Sequence, residues 1–136
     1  MKHELLTEQL IGIFFEVYNE LGHGFIESIY EKAYIRLLAE RDIKFEQQRP
    51  ITVFFRGLEL GEFKADLVVE SLVIVEFKAV RFLDATHEKQ LINYLRATNI
   101  EIGMLFNFGP RAQFRRLVLD NDHKQDRAAV AGSSPS

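Results

Sequence analysis

Apolar side chains recur at steps of three and four through Leu6, Leu10, Ile13, Phe14, Val17 and Leu21, the spacing of an amphipathic helix over about residues 4–21. Gly22 and Gly24 stop it, because glycine readily takes the left-handed geometry of a helix C-terminus. A second helix follows from about Ile26 to Arg41, with Ile29, Tyr30, Ala33, Leu37 and Leu38 on one face. The pattern then changes to strand character. "FEQQRPITVFFRG" (45–57) reads as a strand in which Pro50 marks an edge or a bulge. Gly57 and Gly61 bracket a short turn, and the chain runs on as a three-strand meander to about Val80.

"ATHEKQLINYLRATN" returns to helical spacing through Leu91, Tyr94 and Leu95 and ends near Asn99. "EIGMLFNFG" is an apolar run of strand length closed by Gly109 and Pro110, and "AQFRRLVLD" is the last strand. From about Asn121 the chain turns polar and ends in "AAVAGSSPS", the composition of a disordered tail. The order α-α-β-β-β-α-β-β predicts one α/β domain over residues 1–120, a mixed central sheet flanked by helices, with 121–136 as the tail.

Three charges break this pattern where it is most apolar. In "EFKADLVVESLVIVEFKAV" (62–80), Asp66, Glu76 and Lys78 stand inside strands, where a charge is costly to bury unless it is paired or binds a metal. Alternation puts Leu72, Ile74, Glu76 and Lys78 on one face and Val73, Val75 and Phe77 on the other. Asp66 faces Glu76 only if the hairpin register is centred on Ser71. That requires an odd loop or a bulge, since a plain two-residue turn at Glu70-Ser71 sends the two acids to opposite faces. With the odd register the two Cβ atoms lie ~5 Å apart, and two anions at that distance call for a cation between them. Hard oxygen donors of this kind suit Mg2+ or Mn2+, which keep waters and accept a phosphate oxygen. Lys78, on the same face, is placed to hold a nucleophilic water or to neutralise phosphate charge, the division of labour of metal-assisted phosphodiester hydrolysis. The plainer alternative is a strand-end Asp66 and a solvent-facing Glu76 and Lys78 pair.

Composition narrows the options. The 136 residues are 47% hydrophobic and 27% charged, enough for one core. With no cysteine, disulfides, thiolate zinc sites, cysteine-ligated clusters and cysteine nucleophiles are excluded. A reducing cytoplasm is compatible with this, the N-terminus lacks the features of a signal peptide, and no run approaches the ~18 apolar residues of a transmembrane helix. A cytoplasmic location is the expectation. The net charge of −3 argues against a broadly basic nucleic-acid binder but not against a local basic face.

Two more groupings accompany the charged trio. "GFIESIY" supplies Gly24, Glu27 and Tyr30, with Glu27 near a helix start, where an acid is favoured by the dipole. "QLINY" supplies Gln90 and Tyr94 at i,i+4 spacing on one helix face. Taken singly, each reads more readily as ordinary helix architecture than as a site.

Together these residues resemble the GxxExxY family, a branch of the PD-(D/E)XK nuclease superfamily. The matching residues are Gly24-x-x-Glu27-x-x-Tyr30, Ala65-Asp66, Glu76-Phe77-Lys78-Ala79-Val80, Gln90-x-x-Asn93-Tyr94-Leu95 and Gly103-Met104-Leu105-x-Asn107-Phe108-Gly109, in order over roughly residues 5–119. Ala65 stands where the superfamily has proline. The resemblance implies a restriction-endonuclease-like αβββαβ core. It implies Asp66, Glu76 and, from the early helix, Glu27 as ligands of Mg2+ or Mn2+, Lys78 as the catalytic lysine, and Gln90 and Tyr94 lining the site.

The expected activity is Mg2+-dependent hydrolysis of nucleic acid, DNA in preference to RNA. Tyr30, Tyr94, Lys64 and Arg81 are the expected substrate contacts, with Lys89, Arg111, Arg115 and Arg116 as further phosphate partners. The alternative is a binding or regulatory module that keeps the nuclease fold, catalyses weakly and acts with a partner. A third reading has the Phe-rich pairs at 14–15 and 54–55 form a homodimer interface, although burial preference favours an ordinary core for them.

Overall fold

The computed structural model describes residues 2–124. Helices α1 (Glu4–Leu21) and α2 (Glu27–Glu40) precede β1 (Phe45–Phe55), β2 (Leu58–Val69) and β3 (Val73–Lys78). Helix α3 (Ala85–Arg96), β4 (Ile102–Phe108) and β5 (Ala112–Val118) complete the fold. The five strands form one sheet in the order β1-β2-β3-β4-β5. Strands β3 and β4 are parallel, and the other neighbours are antiparallel. A parallel step cannot be made by a hairpin and needs a crossover, which is the role of α3. This is the α/β mixed sheet expected from the hydrophobic pattern. No helix among the described residues is long and apolar enough to cross a membrane.

Alternation along the strands divides the core in two. Leu67, Val69, Val73, Val75 and Phe77 pack with Phe106 and Phe108 against α1 and α2. Val68, Ile74 and Leu105 pack on the other face against Leu91 and Leu95 of α3. Aromatic stacking makes the first layer rigid: Phe14 lies on Phe106 at 4.8 Å between centroids and Tyr30 on Phe108 at 4.3 Å. Such pairs contribute ~0.5–1.5 kcal/mol each beyond the area they bury. Of the Phe-rich pairs, Phe14 is therefore core, Phe15 packs edge-on against Phe114, and only Phe55 stands exposed.

Three boundaries differ from the sequence expectation. Helix α3 ends at Arg96 rather than near Asn99, its last turn closed by Thr98 Oγ1 donating to Tyr94 O at 3.0 Å. The β1–β2 reversal is made by Arg56 and Gly57, with φ of 49° and 81°. Gly61 does not flank it but pairs with Val53 inside β2, beside a bulge. At the start of the expected tail, Asn121–His123 forms a 3-10 turn, and Lys124 Nζ donates to Thr98 O and Ile100 O at 2.8 Å. The rest of the expected tail, 125–136, lies outside the described residues.

The segment leaving β3 is held by β4. Buried Asn107 accepts from Val80 N at 2.9 Å through Oδ1 and donates to Val80 O at 2.9 Å through Nδ2, so one amide replaces a strand partner just past Lys78. Gly109 lets the two segments approach this closely, since a Cβ there would lie 2.0 Å from Val80 O. Gly109→Ala should therefore lower unfolding stability by about 3 kcal/mol, at the upper end of overpacking costs. Gly61→Ala, whose Cβ meets nothing within 4 Å, should leave the urea midpoint almost unchanged. Equal midpoints for the two variants would contradict this account of the β3 exit.

Candidate active site

The turn that joins β2 to β3 decides whether the acids meet. Glu70 and Ser71 both have positive φ, 53° and 58°, and Leu72 N donates to Val69 O at 2.9 Å. Leu72 is then left out of the ladder, because Val69 pairs with Val73, Val68 with Ile74 and Leu67 with Val75. The tight turn is thus followed by a bulged residue, and together they act as a three-residue loop. The register is centred on Ser71, and Asp66 comes opposite Glu76.

The β2–β3 ladder ends at Leu67, while β2 stays paired with β1 as far as Leu58. The two strands fork at Asp66 and Glu76, and the carboxylates fill the fork. Glu76 Oε2 accepts from Asp66 N at 2.7 Å, and Asp66 Oδ2 accepts from Phe77 N at 2.9 Å. Each acid therefore satisfies a backbone donor of the opposite strand and keeps its second oxygen for other partners. On the β1 side Gln48, at φ 49°, brings its Nε2 to 3.5 Å from both Asp66 Oδ1 and Glu31 Oε2, the outer limit of a hydrogen bond.

Electrostatics sharpen the picture. Glu76 is 5% exposed. Burial, followed by the charge of Asp66, pushes its carboxyl up to about 8, against the opposing pull of the Asp66 N–H and Lys78. Glu31 is also raised, first by burial and then by Asp66. Tyr94, from α3, is pushed up to about 12 by burial and by the charges of Glu76 and Asp66, so its phenol remains a proton donor at any physiological pH. Lys78 is half-buried two residues beyond Glu76, level with Asn107 of β4.

The structure thus gathers Asp66, Glu76, Lys78 and Tyr94 at the fork. Gln90, one turn before Tyr94, lines an open cavity between α3 and the β1–β2 hairpin. Glu27 is exposed at the first turn of α2, and among the described residues no group of three or more His, Asp or Glu side chains able to hold a metal forms. Glu31, one helical turn further on, is the α2 acid that approaches the pair. Its signal in the sequence was the i,i+4 repeat of an acid beside Tyr30. Gln48 and Asn107 were likewise given no individual role.

Tyr30 departs from the expected substrate contact. It is fully buried, its hydroxyl donates to Gly22 O at 2.7 Å and accepts from Phe25 N at 3.1 Å, and it fastens the α1–α2 connection. Lys64, Arg81 and Arg111 are exposed. Arg115 instead lies 3.9 Å from Glu88, and Arg116 donates to Lys2 O at 2.7 Å, so both are already engaged within the chain.

Asp66 and Glu76, each with one oxygen uncommitted to backbone, fit a hard divalent cation, since Mg2+ commonly uses one or two carboxylates and fills its remaining positions with water and substrate phosphate. Half-buried Asp66 and buried Glu76 also repel each other when both are ionised, a repulsion such an ion would relieve.

Comparisons with known proteins agree on the fold. The crystal structure of SSO0001 is similar with a TM-score of 0.57 at 18% identity, covering 74% of this chain and 52% of that one. The chain therefore spans about half the length of that protein, and the likeness concerns the fold alone. No curated protein matches significantly. The PD-(D/E)XK nuclease superfamily matches residues 4–117, nearly the whole described chain and every element that builds the fork. The chain belongs to the PD-(D/E)XK nuclease superfamily.

Proposed function

We propose that the chain is a Mg2+- or Mn2+-dependent nuclease of the GxxExxY branch, hydrolysing phosphodiester bonds of DNA at the β2–β3 fork. One observation carries this reading: the register centred on Ser71 sets Asp66 against Glu76 and leaves Lys78 on the same strand face. Asp66 and Glu76 would hold the cation, which supplies positive charge to the phosphate and acidifies a bound water. Lys78 binds a phosphate oxygen or holds the attacking water. Tyr94, protonated throughout, donates a hydrogen bond toward the scissile group, and Gln90 orients the strand beside it. Exposed Lys64 and Arg81 are the nearest expected candidates for flanking phosphates. Glu27 takes no direct role, and Glu31 adds negative charge next to Asp66.

A second reading, a weakly catalytic module acting with a partner, draws support from the same site. Each acid already spends one oxygen on backbone, and no third acid completes a cage among the described residues. Activity measurements separate the two. Lys78→Ala should reduce cleavage of a panel of DNA substrates with Mg2+ or Mn2+ by ~100-fold or more, the scale seen when one group that stabilises transition-state charge is removed. Its circular dichroism melt should match wild type. Undiminished cleavage by the variant, or no cleavage by wild type with either ion, counts against the nuclease.

The raised carboxyl of Glu76 makes a second prediction, for the metal-free protein. The folded state holds this proton up to about 8, whereas an unfolded glutamate releases it near its ordinary value. The fold therefore binds more protons than the unfolded chain between these limits, and stability falls as pH rises through that window. Urea midpoints in EDTA should decline from pH 6 to pH 9 in wild type and decline much less in Glu76→Gln. Parallel declines in the two proteins would show that Glu76 is not the titrating group.

A further inference from the structure

Beside the fork, between the β1–β2 hairpin and α3, lies an open cavity of about 850 Å³, within the ~300–1,000 Å³ typical of small-ligand sites. We propose that it seats one unpaired nucleotide of a DNA strand adjacent to the scissile phosphate, which makes single-stranded DNA the substrate class. This rests on the nuclease reading and narrows it.

The walls fit that occupant. Val53, Ala97 and Leu119 are apolar, and Phe63 stacks on Tyr94 at 4.0 Å with 18° between the rings, a flat aromatic surface of the kind on which nucleobases lie. The solvent-facing side of α3 adds Lys89 and Arg96 with the amides of Gln90 and Asn93. No carboxylate lines the cavity, although the whole chain carries a net charge of −3. Neither Lys89 nor Arg96 forms an ion pair among the described residues, so both remain available to phosphate. The amides offer donors and acceptors to a base edge.

The position is as telling as the chemistry. Tyr94 belongs both to the cavity and to the surroundings of the acids, near enough to Asp66 and Glu76 for their charges to act on its phenol. Phe63 lies on β2 three residues before Asp66. A nucleotide in the cavity therefore leaves its neighbouring phosphate at the fork. A base stacked and paired in a duplex cannot enter such a recess without being flipped out, at a cost that an unpaired strand avoids. A duplex would also need a wide basic surface, which two cations on one helix face do not make.

The test uses the wild-type chain in EDTA, with fluorescence anisotropy of a labelled single-stranded oligonucleotide and of the blunt duplex of equal length. The single strand should bind about tenfold more tightly or better, the effect of one stacked base. Lys89→Ala/Arg96→Ala should weaken single-strand binding by about tenfold and flatten its log–log salt dependence by ~1.4, at ~0.7 per phosphate contact. Val53→Trp fills the recess without changing charge and should remove the strand preference. Equal or tighter duplex binding overturns the inference, as does wild-type binding by both variants. Adding Mg2+ to the same mixtures reads the activity separately. Duplex cleavage without strand preference overturns only the inference. Selective single-strand binding without any cleavage supports the cavity and counts against the nuclease.

Discussion

Between Leu67 and Asp66 the ladder joining β2 to β3 gives out, and two side chains take over the hydrogen bonds that backbone would otherwise have made. This exchange fixes the site. Asp66 and Glu76 are drawn together because each satisfies an amide of the other's strand, and a buried amide left unpaired costs ~1–3 kcal/mol. The same exchange explains why carboxylates are tolerated in a sheet so apolar elsewhere. Its precondition lies five residues away, at a turn of two positive-φ residues and a bulged Leu72. Were the turn plain, alternation would send one acid to the α1–α2 side of the sheet.

The arrangement is poised rather than relaxed. One acid is half-buried and the other buried, their charges repel, and Glu31 adds a third negative group nearby. Without a cation the lowest-energy response is to keep a proton on Glu76. A cation held by the oxygens not bonded to backbone would relieve that repulsion. The surrounding fold keeps this geometry from collapsing: Asn107 grips both polar groups of Val80 just beyond Lys78, and Gly109 admits the close approach that the grip needs. Tyr30, buried under the α1–α2 turn, serves the same purpose at a distance.

Much of this was legible in the sequence because it is local. The three- and four-residue spacing of Leu6 to Leu21 and the alternation of Val73, Val75 and Phe77 against Ile74 and Glu76 read directly as a helix and a strand with two distinct faces. The odd-register condition could be stated from sequence, but its fulfilment could not, since Glu70-Ser71 carries no glycine to announce a left-handed turn. Glu27 and Glu31 lie one turn apart on α2, and which of them approaches the acids depends on how that helix docks on the sheet. Tyr30 illustrates the same limit, because its spacing from Glu27 cannot say which way its ring faces. Asn107 pairs with a backbone segment 27 residues away, and the basic lining beside α3 exists only once the β1–β2 hairpin stands across from the helix.

The central claim is that the two carboxylates at the fork form a divalent-cation site. Anomalous diffraction from crystals grown with Mn2+ tests it most directly. The account predicts a single strong peak between the free oxygens of Asp66 and Glu76, absent in Asp66→Asn. Ordered carboxylates still bonded to the opposing backbone, with no peak between them at saturating Mn2+, would contradict it.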